Sequence, residues 1–129
     1  MHLPVEFEIP ISPVPCPRPR VSRWGVYYPK KYVVWRKSMA AAVAKAKGRR
    51  HTISSSRRLV VELECYVKTP KNSKLEDPKP DVDNYAKAIL DACNKILWDD
   101  DSQIVELKVT KQWSGSQHGG KTVIRVSSA

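Results

Sequence analysis

The chain has 129 residues, with 23 Lys and Arg against 13 Asp and Glu, for a formal net charge of +10. That length predicts one domain over residues 1–129 and excludes a multidomain machine; the charge favours a polyanionic partner, either nucleic acid or a membrane surface. Hydrophobic residues make up 41% and include four tryptophans, which excludes a disordered basic tail.

Val5, Phe7, Ile9 and Ile11 alternate with Glu6, Glu8, Pro10 and Ser12, predicting a first strand with one buried face that Pro10 confines to an edge or cuts short. The following stretch, Pro13 to Arg20, contains four prolines and reads as a stiff extended strap holding Arg18 and Arg20 outward, with Arg23 close behind. It is either a plain linker or a phosphate contact of low entropy cost. Trp24 to Tyr28 is expected to form a short strand. Lys30 to Lys47 reads as a helix, with Trp35, Met39, Ala42, Val43 and Ala46 on one core-facing stripe and Gly48 as its stop. Arg49, Arg50, His51, Arg57 and Arg58 make the next connection basic, which fits a solvated loop as well as a phosphate contact.

Leu59 to Val67 predicts a second core strand, with Val61, Leu63, Cys65 and Val67 on one face. After a polar loop from Thr69 to Pro80, Asn84 to Leu97 predicts an amphipathic helix buried through Ala86, Ile89, Leu90, Cys93, Ile96 and Leu97, with Asp83 as N-cap. Val105 to Trp113 and Thr122 to Val126 are expected to pair as a hairpin across the turn from Ser114 to Gly120. The predicted fold is α+β, a two-layer sandwich in which two helices pack on one face of a mixed sheet.

Cys16, Cys65 and Cys93 lie far apart in an odd number, so they are expected to be apolar fillers in a reducing compartment rather than a disulfide framework. No stretch approaches the roughly 18 consecutive apolar residues of a membrane span, and the start of the chain lacks the basic-then-apolar pattern of a leader. A soluble cytoplasmic protein is expected. His2, His51 and His118 stand alone and are assigned no role.

The charge is unevenly distributed. Between Glu76 and Glu106 there are nine acids and three bases, a net of −6, so the remaining residues carry +16. Asp81 and Asp83 precede the second helix, and Asp99, Asp100 and Asp101 follow it. A straight helix of that length separates the two groups by roughly 20 Å at about 1.5 Å per residue, so a shared site requires the chain to turn back. Clustered carboxylates without His or Cys suit Mg²⁺ or Mn²⁺, and such a site hydrolyses phosphodiesters. Lys87, one turn after Asp83, is placed to neutralise a reacting phosphate. Asp83 also reads as a simple cap, and Asp91 with Lys87 and Lys95 as a surface ion-pair ladder.

The run Lys79-Pro80-Asp81-Val82-Asp83-Asn84-Tyr85-Ala86-Lys87, the following Leu90-Asp91-Ala92, and Asp100-Asp101-Ser102-Gln103 resemble the RusA family of Holliday-junction resolvases. Arg18-Pro19-Arg20 resembles the family's N-terminal segment. The resemblance implies a homodimeric, divalent-cation-dependent endodeoxyribonuclease, usually using Mg²⁺, that introduces paired nicks across a four-way DNA junction and is often encoded by bacterial phages or prophages. It implies catalytic roles for Asp81, Asp83, Lys87 and Asp101, metal ligation by Asp81, Asp83, Asp100 and Asp101, and DNA contacts by Arg18, Arg20, Arg23, Lys79 and Lys87. One acid cluster per small domain agrees with a twofold dimer, because two symmetric cuts need two clusters. The rival expectations are a non-catalytic DNA- or RNA-binding module and a nuclease for other branched DNA.

Overall fold

The computed structural model describes residues 1–72, 74–115 and 119–129, so His118 and the middle of the Ser114 to Gly120 turn lie outside the described residues. Six strands and two α-helices follow in the order β1 (Val5–Ile9), β2 (Arg20–Ser22), β3 (Gly25–Tyr27), α1 (Lys30–Lys47), β4 (Leu59–Val67), α2 (Val82–Cys93), β5 (Ile104–Trp113) and β6 (Lys121–Ser128), with a 3₁₀ turn at Asp101–Gln103 before β5. β1, β6, β4 and β5 form a mixed four-stranded sheet in that spatial order, and β2 pairs with β3 in a separate antiparallel hairpin. The fold is α+β, as the alternation of strand and helix patterns predicts.

Burial follows the period-2 pattern of the strands. Leu59, Val61, Leu63 and Cys65 of β4 are completely buried, and Phe7, Ile9, Ile124 and Val126 join them from β1 and β6. Met39 and Val43 of α1 and Tyr85, Ile89 and Cys93 of α2 belong to the same apolar cluster. α1 lies against β1, α2 lies against β5, and the helices pack on each other. The opposite sheet face carries Glu6, Glu62 and Glu64 around Arg125, and Glu8 beside Lys121. The cysteines are free and buried, consistent with their role as apolar fillers; burial pushes the Cys65 thiol up to about 12.

α1 and β4 have the predicted bounds, and Gly48 ends α1 with φ +63°. Two expectations change. α2 ends at Cys93 rather than Leu97, because Asn94 leaves the helix and Lys95 takes φ +67°. Leu97 and Trp98 are then buried in a reversal that also forms a short bridge to Ile53. The segment after Cys93 keeps its apolar contacts with the core while reversing direction, which is why helical periodicity overran the end.

The hairpin expected between the last two strands does not form. β5 pairs in parallel with β4, and β6 pairs antiparallel with β4 and β1. The strand–helix–strand order β4–α2–β5 supplies the crossover that parallel pairing needs. β6 instead lies on the side of β4 opposite β5. Within α1, Ala46 is exposed and Tyr32 takes a place on the buried stripe.

Candidate active site

Between α2 and β5 lies an open groove of about 540 Å³, lined by Val82, Asp83, Ala86, Lys87, Leu90 and Asp91 from the helix, Leu107 and Val109 from the strand, and Asp101 from the turn between them. The crossover builds it. Residues four apart on a helix share a face, so Asp83, Lys87 and Asp91 form a row, and the reversal after Cys93 brings Asp101 alongside that row. Asp83 and Asp101 therefore line one groove, although the helix separates them in sequence. The early end of α2 makes this possible.

The groove has two unlike ends. At the N-terminal end of α2, Asp81 is the N-cap residue, without a side-chain cap bond, so the N-cap expected at Asp83 falls two positions earlier and Asp83 lies in the first turn. Asp83 accepts the Asn84 N–H at 3.0 Å. Eight residues farther on, about 12 Å along the axis, the Lys87 ammonium donates to Asp91 at 3.1 Å, and this bond raises the Lys87 pKa. Asp101 accepts the indole N–H of fully buried Trp98 at 2.6 Å. Burial raises the Asp101 pKa above the ordinary carboxylate value, the Trp98 bond opposes that shift, and the negative charges of Asp91 and Asp100 add to it.

Asp81 and Asp100 do not line the groove. Asp100 is exposed and opens the 3₁₀ turn in a capping box with Gln103. Ser102 donates to its carboxylate and holds its pKa down. The Gln103 side chain in turn donates to the carbonyls of Ser54 and Arg57, at 2.6 and 3.0 Å, so the Asp100-Asp101-Ser102-Gln103 run is locked to the loop before β4. Among the described residues, no three His, Cys, Asp or Glu side chains already converge as a metal centre. The donor chemistry still fits a hard divalent cation: half-buried Asp101 faces further carboxylates, and Lys87 is the groove's one lining cation.

Arg18, Arg20, Arg23 and Lys79 are all exposed, and none forms an ion pair among the described residues. The basic connection after α1 is different. Arg50 donates to the carbonyls of Ala46 and Lys47 and covers the Phe7 ring, and Arg57 donates to the Met1 carbonyl and the Ser128 hydroxyl. Those two arginines tie the fold together.

One groove residue and one residue behind the groove escaped the sequence reading. Asp91 read as one rung of a surface ladder, yet it lines the groove, while Lys95 turns away to bond the Asp99 carbonyl. Trp98 gave no sign of contacting Asp101 beyond its place three residues earlier, a spacing that matters only once the chain has left the helix.

The sequence also has relatives. Over 36 residues, 28% of this chain and 25% of the relative's length, it is 58% identical to a Bacillus subtilis (strain 168) protein named "Uncharacterized protein YqaN"; the match thus spans a quarter of that relative. The profile described as "Endodeoxyribonuclease RusA" matches residues 10–127, from the end of β1 to the end of β6. The groove with its acid row, the motif residues that line it and a profile match over nearly the whole chain agree: the protein belongs to the RusA family of endodeoxyribonucleases.

Proposed function

We propose that this protein is a divalent-metal-dependent endonuclease that resolves four-way DNA junctions by paired symmetric nicks, acting as a homodimer on cytoplasmic DNA of bacterial or phage origin. The observation that carries this reading is the single groove lined by Asp83, Lys87, Asp91 and Asp101 in a member of this family. Asp83 and Asp101, which line the groove, would hold Mg²⁺ or Mn²⁺, and ligand roles for Asp81 and Asp100 rest on the family motif alone. When bound, the cation supplies Lewis acidity and an activated water.

The remaining chemistry belongs to the chain. Lys87 sits midway along the acid row and stabilises the charge that builds on the scissile phosphate, its ammonium kept protonated by Asp91. Trp98 fixes the orientation of Asp101 through its indole N–H. Arg18, Arg20, Arg23 and Lys79 bind phosphates on the approaching arms, which makes affinity fall steeply with salt. Each protomer contributes one groove, so a twofold pair cuts two strands of like polarity.

The test is nicking of a synthetic four-way junction in Mg²⁺ by the wild type and by Asp83→Asn. Loss of a carboxylate from the site should slow cleavage by on the order of 100-fold or more. Undiminished cutting by the variant, or no cutting by the wild type across a panel of junction sequences, overturns the proposal.

A further inference from the structure

The β2–β3 hairpin is not used by the groove chemistry, and its surface is unlike the rest of the molecule. Trp24 at its tip is 84% exposed, with Val21 at 80% and Val26 at 67% beside it. The turn is tightly built. Ser22 pairs with Gly25 across a two-residue loop of Arg23 and Trp24; the Ser22 hydroxyl accepts the Trp24 N–H at 3.2 Å and donates to the Gly25 carbonyl at 3.3 Å. Gly25 has φ +124°, a conformation that favours glycine. The Arg23 guanidinium lies 4.9 Å over the indole.

The hairpin's surroundings identify its partner. From Ile9 to Val61 the chain has 13 Lys and Arg and no Asp or Glu, so the aromatic tip belongs to a stretch of uniformly basic chain, with exposed Arg18, Arg20 and Arg23 beside it, that fits a polyanion. Its root is also fixed beside the groove. The Cys16 N–H donates to the Asn84 carbonyl of α2 at 2.9 Å, Cys16 packs with Tyr32 and Ala88, and on the far side Tyr28 meets Tyr32 at 5.2 Å. The hairpin thus starts from the helix that carries Asp83 and Lys87.

Building on the branched-DNA reading above, we propose that this hairpin is a wedge: Trp24 stacks on a base left unpaired or unstacked at the branch point, while Arg18, Arg20 and Arg23 hold the flanking phosphates. A duplex arm offers phosphates but no free base face, so the arginines bind any DNA and Trp24 recognises the branch. Stacking of one base on an aromatic side chain is sequence-tolerant, and wedging side chains act by unstacking a base step.

The experiment measures binding of the full chain to a four-way junction and to a linear duplex of matched length, in EDTA so that neither is cut. Trp24→Ala should weaken junction binding by about 10-fold or more, with duplex binding and the salt slope unchanged. Trp24→Phe should recover most of the loss. Arg20→Ala should weaken both substrates and reduce the salt slope by about one. Circular-dichroism melts of each variant verify folding.

The wedge is overturned if Trp24→Ala keeps the wild-type preference for the junction, or if it loses junction and duplex binding equally. It is also overturned if the loss at Trp24 appears only with anionic phospholipid vesicles or in self-association. A wild type with no preference for branched DNA would instead refute the branched-DNA reading itself, and the two failures are therefore distinguishable.

Discussion

Asp101 is held in a conflict that the rest of the fold tolerates. Burial favours its protonated form, so ionising it in the folded state costs stability; the cost is absent below the ordinary value of 3.8 and grows as pH rises through the raised pKa. Asp101→Asn removes that cost and keeps an oxygen to accept from Trp98. In divalent-free buffer at neutral pH the variant should melt above the wild type, and the difference in melting temperature should vanish on acidification to about pH 3; with Mg²⁺ added, the variant should lose junction cleavage. A lower melting temperature at neutral pH would contradict the account. Trp98→Phe removes the N–H together with part of the buried ring, so a melt of the variant must accompany its kinetics. The substitution should lower kcat about 10-fold or more, a loss typical of groups that orient a ligand, with KM for the junction nearly unchanged; a change confined to KM would assign Trp98 a different role. Asp83, Lys87 and Asp101 were legible as candidates because acids gather in one stretch of a basic chain and match the motif that the RusA family shares. Asp91 and Trp98 were not, since their parts depend on where the helix stops.

The β4–α2–β5 unit determines that stopping point and with it the site. Periodicity located α1, β4 and most of α2 because each buries a regular face. It misread the region from Asn94 to Trp98, where apolar residues continue at near-helical spacing through an irregular reversal. β5 and β6 run in opposite directions, but the glycine-rich composition of the segment between them carried no information on which neighbour the next strand would meet. Gly120, at the end of that segment, has φ +94°, and a Cβ there would stand 2.6 Å from the Ser12 Cβ and 2.9 Å from the Tyr66 carbonyl oxygen. Gly120→Ala combines a strained backbone with clashes on the Ser12 side chain and the Tyr66 carbonyl oxygen. It should destabilise the protein by about 1–3 kcal/mol, readable as a lower urea midpoint with unchanged m. A midpoint equal to wild type would mean that the Ser12 strap yields freely.

At the scale of the whole molecule, charge is sorted by surface. The acid row lies in the groove beside β5, the unbroken basic stretch carries the hairpin, and the sheet face opposite the helices holds an ion-pair network centred on Arg125. Its hydrogen bond to Arg125 keeps Glu64 ionised below its ordinary value of 4.5. The lowered pKa contributes stability above that value, and the contribution is lost as pH falls through the folded-state pKa. Arg125→Ala leaves Glu6, Glu62 and Glu64 without their shared cation. The variant should be less stable than wild type at pH 7, and the gap should narrow toward pH 3; denaturant melts at the two pH values measure it, and a constant gap would show that Arg125 acts through packing alone.

The sheet order has a consequence for biosynthesis. Among the described strands, β6 is made after the others and sits between β1 and β4, and β1 has no other neighbour in the sheet. While β6 is still unmade, β1 has no strand to pair with and the β4 edge that β6 will cover stays open. The sheet behind the groove therefore closes only after β6 has been synthesised.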